Sequence, residues 1–156
     1  MKKLTVIALL LILSTQLHAQ GAERIINHYL AIKDALIAGD SDAAQRSGAL
    51  LKAALNVTED LSKAEKKICT EQYEVLMGSA HTIADTRDIE KQRQAFANIS
   101  PAIWELVKAS DALSGTYYYQ YCPMRKAYWV SREKIIENPY YGASMLTCGS
   151  VKEMKD

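Results

Sequence analysis

The sequence predicts an all-α protein, an antiparallel four-helix bundle carrying a small irregular or β-hairpin lobe at its C-terminal end. Three observations predict it. Apolar residues recur at helical spacing through most of the first 110 positions. Proline and glycine are scarce, 3 and 7 in 156 residues, which disfavours a many-turned sheet. Aromatic and sulfur residues gather instead in one late stretch, Tyr117 to Gly149, which holds seven of the nine tyrosines, Trp129 and two of the three cysteines.

Residues 1–19 read as a secretory signal peptide. Lys2 and Lys3 form a positive start, and Leu4 to Ser14 is apolar but too short to span a bilayer. Leu17-His18-Ala19 is an acceptable cleavage site. The expected location is therefore periplasmic or secreted. Without Lys2 and Lys3 the chain has 17 basic and 18 acidic residues, a balance that gives no reason to expect nucleic acid or an anionic membrane as partner. Residues 20–156 are long enough for a single domain with one core, with the lobe at 116–151. No later stretch is apolar enough to cross a membrane. Export places the cysteines where disulfides persist, and three cysteines allow one internal pair.

The helices follow in order. Glu23 to Gly39 is the first, with Ile25, Ile26, Tyr29, Leu30, Ile32, Leu36 and Ile37 as its apolar stripe and Gly39 as its C-cap. Asp40-Ser41-Asp42 offers an N-cap for the second, whose inner face is Ala43, Ala44, Ser47, Leu50, Leu51, Ala54 and Leu55. Asn56-Val57-Thr58 is a turn. Ser62 and Glu65 form a capping box for the third, whose seam is Cys69, Tyr73, Leu76, Ala80 and Ile83. On that seam Cys69 is a buried small residue. Arg87 to Ala109 is the fourth, which either kinks at Ser100-Pro101 or restarts there.

After Gly115 the pattern changes. Tyr117 to Tyr121 and Ala127 to Val130 have strand propensity, and a hairpin crosses Cys122 to Lys126. Asn138-Pro139-Tyr140-Tyr141-Gly142 is a turn. Lys152 to Asp156 reads as a solvated tail.

Sulfur lies at both ends of this segment. Cys122 and Met124 flank Pro123, and Met145 and Cys148 are three apart. Two thiolates and two thioethers are soft donors that select Cu(I) and, less specifically, zinc or silver-like ions. The alternative is a Cys122–Cys148 disulfide stapling the lobe, and either reading satisfies the spacing. His81, one turn after Met77, is a further ligand candidate or an ordinary helix histidine. His28 is read as an ordinary one. The tyrosines are the lobe's own core, or a shield around a metal. No catalytic motif stands out, and Asp85, Asp88, Glu90 and Arg93 read as a cap with ion pairs, so the chain is not read as an enzyme.

The stretch YYQYCPM…AYWVSREKIIENPYYGASMLTCGSVKE resembles the C-terminal signature of an exported bacterial family of unknown function, described as heavy-metal-binding. Similar domains are fused to periplasmic adaptor subunits of copper and silver efflux pumps. NHYLAIKDALIAGDSDAAQ and HTIADTRDIEKQRQAFANIS resemble the family's first helix and fourth-helix start. The resemblance implies a helical bundle with a metal-binding lobe, and Cys122, Met124, Met145 and Cys148 as ligands with His81 behind them. Family members have a longer polar loop after the CPM motif; here only Arg125 and Lys126 separate Met124 from Ala127. The expected function is periplasmic binding of a soft metal, copper as Cu(I), for buffering or handover to an efflux adaptor or another metal-handling protein. The rival is a disulfide-stapled structural or interaction domain without metal.

Overall fold

The computed structural model describes residues 21–156, so the expected signal peptide and its cleavage site lie outside the described residues. The described chain is mostly helical and ends in a small antiparallel sheet. The helices are α1 (21–38), α2 (Ser41–Leu55), α3 (Lys63–Glu71), α4 (Tyr73–Asp85) and α5 (Ile89–Ala109). The strands are β1 (Tyr117–Cys122), β2 (Ala127–Ser131) and β3 (Ser150–Lys155), in spatial order β2-β1-β3.

Local chemistry explains most boundaries. Gly39 takes a positive φ of 74°, which ends α1, and the Asp40 side chain then accepts from the Ala43 amide to open α2. The Ser62–Glu65 capping box opens α3, and Asp88 accepts from the Glu90 and Lys91 amides to open α5. Gly48 lets α2 meet α4 closely, since a Cβ there would lie 2.7 Å from the Ile83 side chain.

Several details correct the sequence reading. The third helix divides at Gln72, so the described residues hold five helices rather than four. The break lets α3 turn onto α5 while α4 packs against α2 and α5. Cys69, Leu76, Ala80 and Ile83 are buried as expected, but Tyr73 faces outward, as does Leu50 on α2. The last helix does not restart at Pro101 but runs through it. Pro101 lies exposed within α5, so the helix bond it deletes is on the solvent side. The expected frayed tail is β3. It pairs with β1, and Trp104 of α5 donates its indole N–H to Glu153 at 2.9 Å.

One face of the sheet meets α5, and the other meets part of the segment 132–149. Tyr119 and Val130 face the helices, with Tyr119 stacked between Trp104 at 5.0 Å and Tyr128 at 4.6 Å. Gln120 and Trp129 face the opposite way, towards the irregular segment 132–149. Gln120 donates to the carbonyls of Glu133, Lys134 and Ile135. One cluster of buried side chains runs from α1 to the sheet.

Tyr29 ties α1 to α5 and the sheet. It is fully buried and stacks on Phe96 at 4.7 Å. Its hydroxyl meets Ser100 Oγ at 2.7 Å and accepts from the Val130 amide at 3.0 Å, on the edge of β2 that no strand covers. Ser100 in turn donates to the Phe96 carbonyl. Burial holds the phenol well above its ordinary pKa, so it stays protonated and can donate. Tyr29→Phe should cost about 1–3 kcal/mol, because it leaves the Val130 amide buried without an acceptor. A lower denaturant midpoint at unchanged slope checks this; an unchanged midpoint would rule it out.

Candidate metal centre

The chain folds Cys122 and Cys148 onto each other. Cys122 ends β1 and is fully buried. Cys148 precedes β3 and is half-buried. Their sulfurs are 3.5 Å apart, and both are free thiols.

Three devices set this approach. The tight turn joining β1 to β2, with Lys126 at φ 55°, carries the Arg125 amide to Cys122 Sγ at 3.4 Å. Gly149 admits the returning chain, because a Cβ at that position would fall 2.7 Å from the Trp129 ring and 3.0 Å from the Tyr121 carbonyl oxygen. Asn138 pins the turn before Cys148. Its amide N–H donates to the Leu146 carbonyl, its side-chain NH2 to the Cys148 carbonyl, and its side-chain oxygen accepts from the Tyr140 amide, all at 2.7–2.8 Å. In sequence Asn138 reads as a turn residue only; nothing in one sequence marks that its side chain is fully buried.

The neighbouring turn is anchored to the helices. Gly142 takes a φ of 53° against the end of α1, where a Cβ would lie 2.9 Å from the Ile37 carbonyl oxygen. Arg93 of α5 donates to the Pro139 carbonyl at 3.0 Å and the Leu36 carbonyl at 3.3 Å while pairing with Glu90 at 2.7 Å. Arg93 is thus more than the ion-pair partner that its spacing suggested.

The thioethers stand differently. The Met145 carbonyl accepts from the Cys148 amide at 3.1 Å, and Met124 lies in the turn that follows Cys122, so both backbones are close to the thiols along the chain. Their side chains are 36% and 65% exposed, respectively, and lie open to solvent. His81 is not brought to the sulfurs. The register that buries Leu76, Ala80 and Ile83 turns His81 outward, and its two ring nitrogens meet Lys52 at 3.1 Å and Asp85 at 3.2 Å. Among the described residues, no three His, Cys, Asp or Glu side chains gather around one point.

The donor set fits a soft ion. Two thiolates on one tetrahedral ion, with metal–sulfur bonds of about 2.3 Å, stand about 3.8 Å apart. The observed 3.5 Å needs only a small opening. A linear two-coordinate ion would need about 4.6 Å by the same bond length, so this spacing favours further donors. The two thioethers are the sulfur side chains nearest in sequence to the pair. The Cys148 thiol pKa is raised, first by its hydrogen bond with Cys122 and then by burial, while the Met124 amide lowers it in part.

Cys69 is separate from this pair. It lines a cavity of about 200 Å³ with Leu55, Tyr73, Leu76 and Met77. Burial, and then the Glu65 charge, push its pKa up to about 11. The folded state therefore favours the neutral thiol. That contribution is complete below the ordinary thiol pKa and is lost as pH rises towards about 11. Native protein at pH 8 should leave Cys69 unalkylated while Cys148 reacts; equal labelling would refute the assignment.

The sequence model of a family described as "Protein of unknown function (DUF3347)" matches residues 25–115. The chain belongs to that family. The match covers the helices and ends before β1, so the sulfur-bearing lobe lies beyond it. No curated protein and no solved structure matches the chain. No helix among the described residues is long and apolar enough to cross a membrane.

Proposed function

We propose that this member of the DUF3347 family binds one soft metal ion, Cu(I), through Cys122 and Cys148, with Met124 and Met145 completing a sulfur set. In this reading the protein is exported and buffers copper or hands it to an efflux adaptor or similar metal-handling partner. The observation that carries the reading is the pair of facing thiols at 3.5 Å; Met124 and Met145, two and three residues from them in the chain, are open to solvent. The buried thiol anchors the ion, and the open methionines give a partner's ligands a way to reach it. His81 is not needed in this set.

The raised pKa of Cys148 sets the pH dependence. Protons compete with the metal for the thiolate, so affinity should climb as pH rises through and above the ordinary thiol range. Thioethers do not titrate and supply only the residual affinity in acid. The test is a Cu(I) competition titration under reducing conditions on wild type, Cys122→Ser, Cys148→Ser and Met145→Leu. Either Cys substitution should weaken binding at least a hundredfold, and Met145→Leu less. Equal affinity in all four proteins would remove the site and leave a structural or docking domain as the better account.

A further inference from the structure

We propose that Cys122 and Cys148 are also a thiol–disulfide exchange site for disulfides of small thiols, with Cys148 attacking first and Cys122 resolving. This goes beyond the metal reading and does not depend on it.

The geometry makes the two sulfurs unequal. Cys122 is fully buried at the end of the central strand, where pairing with Ala127 of β2 holds it. Cys148 is half-buried, in a turn beside exposed Met145 and Thr147. An incoming disulfide can therefore reach Cys148 but not Cys122. The Cys148 thiolate attacks one sulfur of RSSR, forms a Cys148–S–S–R mixed disulfide and releases one thiolate RS⁻. Cys122, 3.5 Å away, then attacks the Cys148 sulfur and releases the second RS⁻. The two thiol protons end on the released RSH molecules. Overall, the protein dithiol is oxidised by two electrons and RSSR is reduced to two RSH.

One backbone donor suits these steps. The Arg125 amide points at Cys122 Sγ at 3.4 Å and stabilises negative charge on that sulfur as it forms. Closing the bond requires the sulfurs to approach from 3.5 Å to about 2.05 Å, a movement one turn can supply. Cys69 takes no part, because it is buried on the helix seam, away from the pair.

The test uses oxidised glutathione on the metal-free, reduced full chain. Wild type should become lighter by two hydrogen atoms, and its titratable thiols should fall from three to one. Cys122→Ser should stop at a glutathionyl adduct on Cys148, formed at least tenfold faster than any adduct on Cys148→Ser. Peptide mapping of the wild-type adduct at short times reads the same order without a substitution. A wild type that keeps three thiols, or equal adduct rates in the two variants, would overturn the proposal. Cu(I) titration of reduced protein then separates the two readings. Exchange without Cu(I) binding leaves this site standing and removes the metal, whereas binding without exchange does the reverse.

Discussion

Trp129→Ala should lower the unfolding free energy by about 3–5 kcal/mol, the usual cost of truncating a fully buried large aromatic. Trp129 is wholly buried, on the same sheet face as Gln120. Its ring lies against Gly149 and meets Tyr140 edge-on at 6.0 Å. It is therefore the wedge on which the returning chain rests before β3. Losing it opens a cavity directly behind Cys148, so alkylation of Cys122 should also accelerate. Trp129→Phe should cost less, since the buried indole N–H makes no hydrogen bond among the described residues and its removal leaves no partner stranded. Chemical denaturation of the three proteins checks the order. Equal stability of wild type and Trp129→Ala would mean that the segment 132–149 does not pack on the sheet as described.

Asn138→Ala should cost about 2–4 kcal/mol. The side chain serves the Tyr140 amide and the Cys148 carbonyl, and each loses its partner inside a buried turn, at roughly 1–3 kcal/mol apiece. The effect should extend beyond stability. Asn138 fixes the carbonyl of Cys148 itself, so the variant should hold the two sulfurs less firmly and bind Cu(I) more weakly even where it remains folded. A destabilised variant with wild-type affinity would separate the turn from the site.

The helices were legible because their signals are local. The capping box at Ser62 and Glu65, the Asp88 cap and the Gly39 stop each declare themselves within four residues. The hairpin across Cys122 to Lys126 was legible from the aromatic-rich runs on either side. β3 was not. Its charges, Lys152, Glu153 and Lys155, are what an edge strand carries to discourage further pairing, and in sequence they look like a solvated tail. What places it is remote: β1 beside it and Trp104 beneath Glu153.

The candidate site divides in the same way. Pairing Cys122 with Cys148 follows from cysteine count, since Cys69 lies on a helix seam. The exposure of Met124 and Met145 does not follow, because methionine is ordinarily a core residue and only the turn geometry puts these two outside. In the sequence His81 reads as a further ligand candidate or an ordinary helix histidine. The rotation of α4 puts it instead against Lys52 and Asp85. Asn138 and Gly149, which hold Cys148 in place, carry no metal-ligand signature at all.

X-ray absorption at the copper edge, on reduced protein loaded with Cu(I), tests the central claim most directly. The account predicts one copper per chain with a first shell of sulfur alone, which becomes substoichiometric in Cys148→Ser. A first shell of nitrogen or oxygen, or a copper content that the Cys148 substitution leaves unchanged, would contradict it.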